Sequence, residues 1–101
     1  MLEEWVLKKR KIEASKDNLK GIDLCNAKLM GAKLDGADLS QADLSSAYLI
    51  KADLSKASLA GADLTGAVLS EANLSYVNLD GAELMDTYLH GANLKGAVHL
   101  T

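Results

Sequence analysis

The sequence has no proline and no phenylalanine, one cysteine, one tryptophan and three tyrosines in 101 residues. Aromatics make up 4% against an apolar fraction of 49%, so aliphatic and small side chains have to fill the interior. Cys25 alone cannot close an internal disulfide or assemble a metal cluster, which excludes a stapled scaffold and suits a reducing compartment. No apolar run approaches the ~18–20 residues that cross a bilayer. The start Met1-Leu2-Glu3-Glu4 is acidic, where a secretion signal is basic and then apolar. A soluble protein of the cytoplasm is therefore expected, and the length suits one domain. The net charge of −3 lacks the basic excess with which a general nucleic-acid binder displaces counterions.

What the chain does have is a repeat. Leucine recurs every fifth residue without a break from Leu19 to Leu94, sixteen times in all. Two positions earlier stands alanine in most units, from Ala27 to Ala92, with Ile22, Val77 and Thr87 among the exceptions. All eight glycines fall two positions after a leucine. Period five fits neither regular element: steps of ~100° leave successive leucines about 140° apart on a helix, and strand alternation puts them on opposite faces. Every leucine can point the same way only if the chain bends once per unit, and glycine at a fixed offset is what a turn with positive φ selects. Alanine and leucine, two apart on a short extended step, then face inward while the flanking positions face out. Such a chain winds into coils that stack as parallel ladders, a β-solenoid whose number of sides the period leaves open.

Runs such as Ala37-Asp38-Leu39-Ser40-Gln41, Ala62-Asp63-Leu64-Thr65-Gly66 and Ala92-Asn93-Leu94-Lys95-Gly96 resemble the A(D/N)LXX unit of the pentapeptide-repeat family, over residues 17 to 97. The resemblance implies an all-β fold, a right-handed quadrilateral parallel β-helix with twenty residues per coil and hence about four coils. Residues 1–16 lack the period and read as a short N-terminal capping helix with Trp5 over the first coil, followed by the repeat region 17–101. Glu3 and Glu4 come early in that helix and Lys8-Lys9-Arg10-Lys11 late, as the helix dipole favours. At the other end His99 replaces the expected leucine and no capping helix is visible. Three arrangements would cover the last coil: Val98-His99-Leu100 folding over it, continuation into a longer protein, or end-to-end homodimerisation, the one preferred here.

No catalytic constellation is apparent, so no enzyme, cofactor or metal is expected. His90 and His99 have no zinc-ligand spacing, no nucleophile motif surrounds a serine or Cys25, and every glycine is already assigned to a turn. Sorting outward residues by twenty gives two distinctive columns. Asp23, Asp43, Asp63 and Glu83 form an acidic one, and Tyr48, Val68 and Tyr88, with Ile50 alongside, form an apolar one. Residues 17–101 carry six basic and eleven acidic groups, a net −5. The leading reading is a non-enzymatic interaction or scaffold module that presents rigid faces, with Tyr48, Ile50, Val68 and Tyr88 contacting a protein partner or another copy. The alternative, which the resemblance supplies through its bacterial members that imitate duplex DNA, is a DNA mimic binding DNA gyrase through the acidic column. Neither reading involves direct nucleic-acid or membrane binding. Inward leucines in the middle coils should matter most: Leu54→Ala or Leu64→Ala is expected to cost ~2–5 kcal/mol in unfolding free energy, and Leu19→Ala less.

Overall fold

The computed structural model of the chain describes residues 1–98; His99, Leu100 and Thr101, and with them any fold-over of the C-terminal residues, lie outside the described part. Helix α1 spans Glu4–Glu13, and a single 3-10 turn follows at Lys16–Asn18. Glu4 in the first turn and Arg10 and Lys11 in the last complement the helix dipole. No helix among the described residues is long and apolar enough to cross a membrane.

Beyond Leu19 the backbone repeats every five residues. The position two after each leucine, from Gly21 to Gly96, has positive φ in all sixteen units, eight glycines and eight other residues. An N–H···O=C bond closes each turn, as from Ala47 to Leu44 at 3.0 Å. The remaining bonds run to segments about twenty residues away. Leu44 donates to Asp63 (2.8 Å), Ser46 to Thr65 (2.9 Å), and Asp63 back to Ala42 (3.0 Å). Parallel bridges accordingly join residues twenty apart, Asp23 to Asp43 to Asp63 to Glu83 on one side and Lys28 to Tyr48 to Val68 to Tyr88 on the next.

The all-β class, and with it the right-handed quadrilateral β-helix and solenoid description, is corrected by these pairings. Among the described residues no β-strand forms. Every bridge is isolated, one residue long, and the only continuous regular elements are helical. The physical reason lies in the unit itself. Each five-residue step contains a left-handed residue, so the chain bends before a second consecutive residue can pair, and the ladder is interrupted after each bridge.

Inside the windings the leucines from Leu19 to Leu79 and the alanines from Ala27 to Ala72 are buried. Val77 takes an alanine position in the core, and Thr87 takes another at the half-buried margin, donating its Oγ1 hydrogen to the Leu64 carbonyl at 2.7 Å. Burial ends abruptly in the last winding, where Leu84, Leu89 and Leu94 are half-buried. Leu19, by contrast, is only 1% exposed, because the helical segment covers it. The expected tolerance at Leu19 is thereby reversed, and the forgiving end is the C-terminal one.

Unfolding in denaturant should therefore rank Leu19→Ala with Leu54→Ala and Leu64→Ala, each losing ~2–5 kcal/mol, and Leu94→Ala clearly below them. Lys51 sits at φ 61°; Lys51→Gly relieves that strain and should add about 0.5–1 kcal/mol in the same measurement, since the left-handed penalty exceeds the entropy glycine loses. A destabilised Lys51→Gly would contradict the strain argument.

Candidate functional site

Among the described residues no three of the His, Cys, Asp and Glu side chains gather as metal ligands, and no pocket opens on their surface. Cys25 is exposed and free, its sulfur accepting from Ser45 Oγ at 3.3 Å.

The acidic column stands where the sequence placed it, but its three aspartates, unlike Glu83, turn one oxygen to the backbone. Oδ1 of Asp23, Asp43 and Asp63 accepts the N–H two residues on, from Cys25, Ser45 and Thr65, each at 3.0 Å. The Ser45 hydroxyl adds a 2.6 Å bond to Asp43, and Ser40 does the same for Asp38. These bonds, side chain first and backbone second, hold the Asp38 and Asp43 carboxyls below their ordinary value. The Asp35 carboxyl is lowered chiefly by its 2.9 Å bond to Lys16 Nζ. Asn73, Asn78 and Asn93 make the same bond through their amide oxygen, which explains why Asp and Asn interchange at this position.

Tyr48 and Tyr88 are exposed, and Val68 and Ile50 half-buried, along the neighbouring side. Both functional readings drawn from these columns are corrected. A scaffold of rigid sheet faces and a DNA mimic each need a continuous strand-built surface. The sides consist of single bridged residues separated by turns, and three of the four carboxylates offered as phosphate imitations, all but Glu83, serve as turn acceptors. Trp5 is half-buried, donating Nε1–H to Glu3 at 2.7 Å with Lys9 Nζ 5.8 Å from its ring centroid. The helix side chain buried with the core is Ile12.

The structurally unusual regions are the two ends. At the first winding, helical residues replace a missing neighbour: Glu13 Oε2 accepts the Lys33 N–H (2.7 Å), the Lys16 carbonyl accepts the Asp38 N–H (2.9 Å), and Lys9 Nζ donates to the Met30 carbonyl (3.2 Å). Sequence reasoning missed all three, although the charged run that supplies Lys9 was visible. At the last winding the N–H groups of Leu84, Leu89 and Leu94 and the carbonyls of Ala82, Thr87 and Ala92 have no backbone partner among the described residues. Around them Met85, Tyr88 and Val98 are exposed, at 71%, 61% and 47%.

The model of pentapeptide repeats matches residues 18–45, 47–85 and 62–98, in eight copies. The chain belongs to the pentapeptide-repeat family. Among solved family members, it is 42% identical to a pentapeptide repeat protein from the cyanobacterium Cyanothece 51142, with a TM-score of 0.73 over 75% of this chain and 52% of that one. It is 38% identical to a pentapeptide repeat protein from the Arabidopsis thaliana thylakoid lumen, with a TM-score of 0.76 over 78% of this chain and 55% of that one. The chain thus spans about half the length of these family members. No curated protein matches the sequence.

The lowered carboxyls make a pH prediction. Stability from a depressed carboxylate is complete above its ordinary value, 3.8 for Asp38 and Asp43, and is lost as pH falls through and below it. The thermal midpoint should be level from neutral pH to about pH 5 and then drop in acid. Asp38→Asn with Asp43→Asn should keep the neutral midpoint, as the amide oxygen still accepts, and flatten the acid drop. An acid drop of unchanged depth would refute the assignment.

Proposed function

We propose that this family member is a non-catalytic assembly protein of the cytoplasm, and that it pairs end to end with a second copy of itself through the last winding. The exposed free thiol of Cys25 suits a reducing compartment. The observation that carries the pairing is the open edge of residues 82–94. Three times in succession a carbonyl and an N–H two residues apart, Ala82 and Leu84, Thr87 and Leu89, Ala92 and Leu94, lack a partner among the described residues. Acceptor and donor at this spacing form the widely spaced pair of an antiparallel ladder. Two windings that meet tail to tail circulate in opposite senses, so each side faces an antiparallel copy. A two-fold axis then pairs these N–H groups with these carbonyls in both directions, an isologous contact, and leaves the second N–H of each unit, at Asp86, Gly91 and Gly96, to water. The half-buried Leu84, Leu89 and Leu94 lose their remaining contact with water in the same step. The exposed apolar rim residues Met85 and Tyr88 extend the contact beyond the narrow cross-section of the winding, which alone is small for a stable interface.

Light scattering coupled to size exclusion across protein concentration should give a species of twice the 10.7 kDa chain mass. Leu89→Lys, which places a charge at the meeting surface but outside the fully buried core, should give a folded monomer. A wild-type monomer at high micromolar concentration refutes the pairing.

A further inference from the structure

We propose that the α1 segment is an assembly stop, which confines self-association to a closed pair by blocking head-to-tail growth. The proposal rests on the reading above in taking the last winding as an edge that a second copy can meet.

The two edges of a winding differ in polarity. Toward the C-terminal side each unit projects two N–H groups and one carbonyl, as Leu44, Ser46 and Ala42 do. Toward the N-terminal side it projects one N–H and two carbonyls, as Asp63 and Thr65 do in meeting them. Every internal junction joins one edge to the other. The last winding therefore fits the first winding of another copy just as well as windings fit within the chain, and repetition of that contact has no natural end. An uncovered first winding would turn the open C-terminal edge into the growing point of a filament.

The first winding is met in part by groups of the matching polarity, at Lys33, Asp38 and Met30, while the N–H groups of Asp23 and Lys28 have no partner among the described residues. Glu13 Oε2 and the Lys16 carbonyl accept where a preceding winding would accept, from Lys33 and Asp38. Lys9 Nζ donates to Met30 where a preceding winding would donate. Ile12, 7% exposed, is buried in the same cluster as Leu19. The exposed Lys16–Asp35 ion pair at 2.9 Å ties the connecting turn to the same winding. With this edge partly occupied and Ile12 buried with the core beside it, head-to-tail docking in register is obstructed, and the tail-to-tail contact that remains consumes itself after one partner.

The test is made on the full chain. Ile12→Asp undocks α1 without removing it. Sedimentation should then show mass rising beyond a dimer with concentration, negative-stain images should show rods of increasing length, and adding Leu89→Lys should abolish the growth. An undocked variant that stays the size of the wild type overturns the stop. If Ile12→Asp is unfolded by circular dichroism, Glu13→Lys, which keeps Ile12 in place and puts a donor opposite the Lys33 N–H, decides in the same way: growth supports the stop and unchanged size overturns it. The two proposals separate cleanly. A dimeric wild type whose undocked variants remain dimers sinks the stop alone, and a monomeric wild type whose undocked variants grow sinks only the pairing.

Discussion

A backbone that turns sharply every five residues cannot satisfy its own hydrogen bonds locally, and the rest of this structure follows from that. One bond closes each turn; the others must find partners in a segment about twenty residues away. Buried peptide groups tolerate no shortfall, so the windings have to stack in register. Register in turn aligns Leu with Leu and Ala with Ala along the interior. The core is thus a consequence of backbone accounting as much as of side-chain choice. The absence of strands has the same origin, since the left-handed residue that permits the bend also stops any ladder after one bridge.

The same accounting sets the outermost described windings apart, because each has one edge with no stacked neighbour among the described residues. An interior winding is satisfied from both sides, whereas a terminal one has an edge of bare donors and acceptors. At the N-terminal edge the solution is made of unlike parts: a carboxylate, an ammonium group, a main-chain carbonyl and one isoleucine. They match the edge by polarity and do not imitate its backbone. That is a chemically cheap way to end a repeat, because none of the four groups need share the geometry of the unit they cover.

Much of this was legible in the sequence, but unevenly. The period five of leucine fixed the inward direction, and the offset of glycine located the turn. Half the left-handed positions, Lys51 and Tyr76 among them, are not glycine, so their conformation is readable only from their place in the period. The one-residue length of the bridges was not legible, because a pattern of apolar positions says which residues face inward and not how many neighbours pair. Nor were Glu13, Lys16 and Lys9, whose contacts depend on where a helix lands, a long-range matter that no local spacing encodes. Trp5 is the only tryptophan, yet size is a poor guide to burial where an aliphatic column has to be continued. Ile12 matches leucine in shape, and it is the residue that enters the core.

The acidic column shows why a surface pattern in a repeat has to be read against the needs of the repeat. Asp23, Asp43 and Asp63 recur because a short side chain with an acceptor oxygen closes onto the N–H two residues later. Asn73, Asn78 and Asn93 do the same work without charge. The demand is for an oxygen, and the sign of the column is a by-product of which of two equivalent residues supplies it. A repeated feature that the backbone already explains carries little information about partners. The informative residues are those that break the repeat, and here they lie at its ends: the helical groups that meet part of the first winding, and, in the last described winding, the half-buried leucines and the peptide groups without a backbone partner among the described residues.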